Sequence, residues 1–207
     1  MSTSELEQRL SELPKTFYLP WTEGENNLDE GIAFGTGLAR ATGLPLEVGM
    51  QLLNQIPEEL GKLPHFTERS RSSMRGPRVV LLLHPTFKLL GHAVSREGRY
   101  VVVVEYPTNE LSGWAALAGA FNLKTKETMS VDLGTEALVL YKRIEWNGNN
   151  GWSDDHGKRT ALSDLNKLKA SGELNVDLLR GYFLPKKSDT AVERLIKLAE
   201  SVLKDTA

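Results

Sequence analysis

Two short runs of apolar residues constrain the fold of this chain more than any other feature. Val79–Leu83 and Tyr100–Val104 are nearly continuous, rich in β-branched residues and bounded by turn-forming residues. This pattern is typical of central strands that are buried on both faces. Val102 and Val103 point to opposite faces, because side chains alternate along a strand, and neither is polar. We therefore expect both valines to be buried beneath helices that cover the sheet.

The residues before the second run predict a β-hairpin. Arg96–Arg99 separates Tyr100–Val104 from the short segment Gly91–Ser95, and Gly98 supplies the positive φ of a tight turn. The spacing of Trp114, Leu117, Ala118 and Phe121 favours a helix, but the alternation over 113–123 also fits a strand, and both stay open. Two further strands are predicted, at Met129–Asp132 and Ala137–Trp146.

Helical periodicity dominates on either side of these strands. Ser4 and Glu7 form a capping-box pair for a short first helix. A second helix runs from Asn26 towards Thr42, with Gly31 and Gly35 on the face where another element can approach closely. Near the carboxyl end of the chain, Ser153 or Asp154 caps a helix, and a strongly amphipathic last helix starts at Asp189.

Pro45 predicts the start of another helix, with Val48, Leu52, Leu53 and Ile56 on its inner face. Leu38–Leu53 would then have the layout of a helix-turn-helix. Its second helix exposes no arginine or lysine to grip phosphate, which favours a helical hairpin with no DNA role.

The order of these elements predicts an α+β fold. N-terminal helices precede a central, mainly antiparallel sheet, and C-terminal helices pack on that sheet. Residues 1–76 are predicted to form a helical segment or subdomain that ends in a basic loop, and residues 77–207 an α+β core. A single domain over 1–207 is the alternative, since 207 residues suffice for one core.

Composition narrows the function classes. A formal net charge of -2 gives no general attraction to nucleic acid or acidic membranes, so such a partner needs a local basic patch. The absence of cysteine from the sequence excludes disulfides, thiolate metal ligands and cysteine nucleophiles. No signal peptide or membrane-spanning run is visible, and we expect a cytoplasmic protein with no membrane contact.

Arginine is concentrated in one segment of this nearly neutral chain. Thr67–Arg78 carries four arginines against the single acid Glu68, which predicts a loop whose charge attracts nucleic acid or an acidic partner. The leading hypothesis is a non-enzymatic intracellular binding or regulatory module. Its candidate nucleic-acid-binding residues are Arg69, Arg71, Arg75, Arg78, Lys142, Arg143, Lys158 and Arg159.

Acid and base groups support an alternative, a small enzyme that hydrolyses its substrate with metal assistance or by general acid–base catalysis. Its candidate residues are His84, His92, Glu105, Asp154, Asp155 and His156. Local roles also explain them, such as strand-end histidines and an Asp154 cap with Asp155 in the first helical turn. No pair of histidines has the one-turn spacing of a zinc motif, and we expect no resident metal or cofactor.

A third hypothesis is a protein–protein interaction subunit. In it the last helix or the apolar segment Trp114–Phe121 packs on another chain or on a second copy of this one.

Overall fold

The computed structural model describes residues 13–70, 74–94, 99–108 and 110–204. Within these ranges the chain forms one seven-stranded sheet and seven α-helices. The strands are β1 (Thr16–Leu19), β2 (Leu46–Gly49), β3 (His65–Phe66), β4 (Arg78–Leu83), β5 (Arg99–Val104), β6 (Phe121–Asn122) and β7 (Glu127–Thr128). The helices are α1 (Asn27–Thr42), α2 (Phe87–Val94), α3 (Ser112–Leu117), α4 (Thr135–Asn147), α5 (Asp155–Ala170), α6 (Val176–Phe183) and α7 (Asp189–Lys204). The helix predicted from Ser4 and Glu7 lies outside the described residues.

The sheet is mostly parallel, so the prediction of a mainly antiparallel sheet is wrong. The strand order is β3-β2-β4-β5-β1-β6-β7, and among the described strands only β6 and β7 pair antiparallel. β4 and β5 pair in parallel from Arg78 opposite Arg99 to Leu83 opposite Val104. Parallel neighbours need a crossover, which α2 provides. The predicted hairpin is therefore wrong, and Gly91–Val94 is the end of a helix.

Three other segments differ from their predicted structure. The strand predicted at Met129–Asp132 does not form, since these residues follow β7 and belong to no helix or strand. The helix predicted after Pro45 is instead the strand β2, which lies between β3 and β4 and is buried along its length, so the predicted helix-turn-helix does not form. The strand predicted at Ala137–Trp146 is instead part of α4, which buries Ala137, Tyr141 and Ile144. The sequence leaves both helix and strand possible over 113–123, and the segment contains both. The helix α3 ends at Leu117, and the strand β6 begins at Phe121.

Other predictions are confirmed. Every residue of β4 and β5 is buried, Val102 and Val103 completely so. The N-cap of α1 is Asn26, whose side chain accepts the amide N–H of Asp29. Asp154 caps α5 and accepts the N–H of Gly157 at 2.6 Å, and α7 begins at Asp189.

A buried ion pair ties β2 to β4. The Arg78 Nε atom lies 2.9 Å from Glu47 Oε2, and the two side chains are only 2% and 1% exposed. The same guanidinium donates to the carbonyl oxygens of Met74 and Gly76, at 2.7 and 2.8 Å. Arg78 therefore fixes the end of the arginine-rich segment to the sheet.

The chain divides into two compact units. The sheet unit contains the residues through Glu110 together with Ala118–Met129, and the helical unit contains Leu111–Leu117 and the residues from Ser130 onward. The predicted division into 1–76 and 77–207 stays a prediction, because compactness does not show which segments fold independently. None of the described helices is long and apolar enough to span a membrane.

The two units have separate hydrophobic cores. In the sheet unit, α1 packs on the face that carries Leu81, Val102 and Val104. In the helical unit, α4 to α7 enclose a core that includes Trp152, whose indole N–H donates to the carbonyl oxygen of Ile144 at 3.3 Å. Phe183 packs against Trp152 edge to face, with ring centroids 5.4 Å apart.

The close packing of α1 on the sheet requires glycine at position 31. A Cβ atom there would lie 2.2 Å from Val104 Cγ2, whereas one at Gly37 on the same helix would meet nothing within 4 Å. We expect Gly31→Ala to lower the free energy of unfolding by about 2 kcal/mol, as overpacking does. Gly37→Ala should raise it by up to about 1 kcal/mol, because alanine favours helix. Urea unfolding measures both, and equal midpoints for the two variants would contradict this packing.

Candidate functional site

The carboxyl ends of the parallel strands meet at one edge of the sheet, here called the carboxyl edge. At one place neighbouring strands lead the chain away from each other, because β2 leads to β3 on one side and β4 leads to β5 on the other. Ligands of open parallel sheets bind at such reversals. His84 follows β4 at this reversal and Glu105 follows the adjacent strand β5, so two of the predicted acid–base residues lie at or beside it.

His84 is held in an unusual conformation at the end of β4. Its φ of 49° lies in the left-handed region, which residues other than glycine seldom adopt. Its N–H donates to the Val104 carbonyl oxygen at 2.9 Å, and its own carbonyl accepts the Gln51 side-chain amide at 3.4 Å. Burial lowers the pKa of the His84 imidazole. The ring is therefore neutral near pH 7, with one nitrogen that accepts a hydrogen bond.

Glu105 is a buried carboxylate that joins the ends of β5 and β1. It is 8% exposed, and Oε2 accepts the backbone N–H of Trp21 at 3.0 Å. The Tyr18 hydroxyl also donates a hydrogen bond to Glu105. Burial, and to a smaller extent this hydrogen bond, raises the pKa of Tyr18. These bonds to a charged group fix the loop after β1 against the loop after β5.

Two large aromatic side chains are exposed next to this carboxylate. Trp21 is 40% exposed and follows β1, and Tyr106 is 45% exposed and follows β5, the strand that pairs with β1. The Tyr106 ring contacts the His84 ring, with centroids 4.7 Å apart. The carboxyl edge therefore combines aromatic surface with a neutral imidazole.

Sequence reasoning missed the polar residues contributed by the shorter strands. Gln51 follows β2, and Glu68 follows β3 and accepts a hydrogen bond from the Thr86 hydroxyl. Thr86 in turn accepts the N–H of Leu89 in the first turn of α2. The available signal is the end of a buried strand, but Pro45 predicts a helix where β2 forms, and β3 has only two residues.

The other acid–base candidates lie elsewhere. His92 is on α2, and its carbonyl accepts from Arg99 at the amino end of β5, so His84 and His92 are at opposite ends of the sheet. Asp154, Asp155 and His156 are exposed in the helical unit at the start of α5. Among the described residues, no group of three or more His, Asp and Glu side chains is arranged to hold a metal ion.

The predicted nucleic-acid-binding residues are divided between the two units. Arg69 and Arg75 are exposed in the sheet unit, Arg78 is buried on Glu47, and Arg71 lies outside the described residues. The remaining four belong to the helical unit: Lys142 and Arg143 on α4, and Lys158 and Arg159 on α5. Arg143 is already bound to the buried carboxylate of Asp164. A role for these residues in nucleic-acid binding stays a prediction.

We expect His84 to titrate below 6.5, the ordinary value for histidine, because burial disfavours its charged form. The unfolded chain then binds the proton more readily than the folded one. Stability is therefore lost as the pH falls from about 6.5 through the lower pKa of the folded state. NMR titration of the imidazole signals measures the midpoint, with His84→Asn and His156→Asn to assign them. A midpoint at or above 6.5 would show that the ring is solvated.

No protein-family model matches the chain, and neither the curated proteins nor the solved structures yield a significant match. A function for the chain therefore has to follow from its own residues and their geometry. At the carboxyl edge these are exposed aromatic rings and fixed hydrogen-bonding groups.

Proposed function

We propose that the protein binds a small ligand with a planar ring at the carboxyl edge of its parallel sheet. The observation that carries this proposal is the exposure of Trp21 and Tyr106 after the ends of two paired strands, where Glu105 accepts the Trp21 backbone N–H and precedes Tyr106 in the chain. Large aromatic side chains are normally buried, and exposed ones offer a stacking surface for a flat ring.

The polar groups of the edge give the ligand an orientation. The neutral His84 ring accepts or donates one hydrogen bond at each nitrogen, and its contact with Tyr106 places it beside the stacking surface. The loops are fixed before any ligand arrives, by the Glu105 bond to Trp21 and the Gln51 bond to His84. Such pre-organisation lowers the entropy cost of binding.

Protein-observed NMR tests this function with three mixtures of probes: nucleosides and nucleotides, aromatic amino acids, and, for comparison, sugars and aliphatic carboxylates. We expect a planar-ring compound to shift the Trp21 indole and His84 imidazole signals in a saturable way. Trp21→Ala or Tyr106→Ala should weaken that binding about tenfold or more, the usual value of one ring-on-ring contact.

Trp146→Ala is the matched control, because Trp146 is an exposed tryptophan of the helical unit and should leave binding unchanged. His84→Asn tests the imidazole alone, since asparagine tolerates the left-handed backbone. If no planar-ring probe shifts these signals, or if Trp21→Ala binds as well as the parent, the proposal is wrong.

A catalytic form of the same site has one observation in its favour, the lowered pKa of His84. A neutral imidazole at a ligand crevice can act as a general base near pH 7. If the site is catalytic, the parent protein converts the bound probe into a product. His84→Asn would then retain binding and lose turnover, which separates an enzyme from a binding module.

The arginine-rich segment supports a second candidate function, contact with nucleic acid or an acidic partner. Arg78 holds the carbonyls of Met74 and Gly76, and Arg75 between them is exposed. In this candidate function Arg78 supports the loop, whereas Arg69 and Arg75 contact the nucleic acid or the acidic partner.

We expect a fluorescein-labelled oligonucleotide to bind and to dissociate steeply as salt is added, because arginine contacts to phosphate release counterions. Replacing both Arg69 and Arg75 with alanine should lower the slope of log K against log salt by about two. The double variant Lys158→Ala/Arg159→Ala removes the same charge from the helical unit and serves as the comparison. An unchanged slope in the Arg69→Ala/Arg75→Ala protein would exclude this loop as the contact.

A further inference from the structure

The helical unit exposes a stripe of side chains along α4. Thr135, Val139, Lys142 and Trp146 are spaced four, three and four residues apart, which places them on one side of a helix. Trp146 is 76% exposed and Val139 is 55% exposed. The opposite side of the helix, with Ala137, Tyr141 and Ile144, is buried in the core of the unit. The outer stripe has the four–three spacing of a helix that packs on another helix.

A groove lies beside the first half of this stripe. It has a volume of about 360 Å³, which is room for about ten water molecules. It is lined by the apolar residues Val139 and Leu140 and by the polar or charged residues Thr135, Glu136, Lys167, Ser171 and Glu173. A tryptophan side chain suits this lining, because its rings need apolar contact and its N–H needs an acceptor.

The charges along α4 determine the direction in which a second α4 can pack. Glu136 lies in the first turn, whereas Lys142 lies near the other end and is exposed. A parallel copy would place like charges together. An antiparallel copy places Glu136 of each helix near Lys142 of the other, with Val139 near the middle of the pair. It also brings Trp146 of each copy to Thr135 and the groove of the other copy. Charge and shape therefore favour the same arrangement.

We propose that the protein forms a symmetric dimer through antiparallel packing of α4 on α4, with Trp146 of each copy seated in the groove of the other. The interface uses the same patch on both copies, as a two-fold dimer requires. Trp146 is its largest contact and lies near each end of the interface, and tryptophan is among the residue types most often found to dominate binding energy at interfaces. This inference uses no residue of the carboxyl edge and is independent of the ligand proposed there.

Sedimentation velocity on the full chain, from low to high micromolar concentration, tests the dimer. We expect Trp146→Ala to weaken association about thirtyfold or more, as loss of a tryptophan that fills a pocket of the partner does. Trp21→Ala, which removes an exposed tryptophan from the sheet unit, should leave it unchanged. The variants Glu136→Lys and Lys142→Glu should each be monomeric, because each sets like charges against one another.

An equimolar mixture of Glu136→Lys and Lys142→Glu proteins gives the decisive result. In the antiparallel dimer both contacts of the mixed pair join opposite charges, so the mixture should associate although neither variant does alone. A parent protein that stays monomeric would overturn the proposal, including one that binds a labelled oligonucleotide in a manner that depends on Lys142 and Trp146. A dimer that both charge reversals leave intact would overturn it as well.

Discussion

The parallel pairing of β4 and β5 is the constraint on which the rest of the sheet unit depends. Two parallel neighbours begin at the same edge, so the chain must return across the sheet between them, and α2 makes that return. The strands β1 and β2 are not neighbours, but they also run parallel in this sheet, and α1 makes the return between them. Every parallel strand then ends at one edge, and the residues that follow the strands are brought together although they are far apart in sequence. Trp21, Gln51, His84 and Glu105 meet in this way.

Local chemistry explains which parts of this fold the sequence revealed. The burial of β4 and β5 was predictable because their apolar runs are long and leave no polar face. Their relative direction is harder to predict, because Gly98 and its charged neighbours resemble a hairpin turn, although continuous apolar runs are themselves typical of parallel strands. In α4, Leu138 and Leu140 alternate with Val139 and Tyr141 as in a strand. The residues that are buried, Ala137, Tyr141 and Ile144, follow the helical period instead.

The candidate site was predictable only in part, for a related reason. His84 and Glu105 each end a long buried run, and that position alone marks them. Gln51 and Glu68 follow strands of four and two residues, which are too short to show a period. The order of the strands determines which loops become neighbours, and nothing in the sequence of one strand encodes its partner at a distance. The neighbouring positions of Trp21 and Tyr106 therefore emerge only from the fold.

The buried pair of Glu47 and Arg78 has a consequence for how this protein can diverge. A single change at either position leaves a charge in the core without its partner, which typically costs about 3–5 kcal/mol, a large part of the stability of an ordinary domain. Replacing both with apolar residues of similar volume is often neutral. Arg78 also supports the carbonyls of Met74 and Gly76. Descendant sequences should therefore keep both residues or lose both together, and those that lose both should also change the segment around residues 74–76.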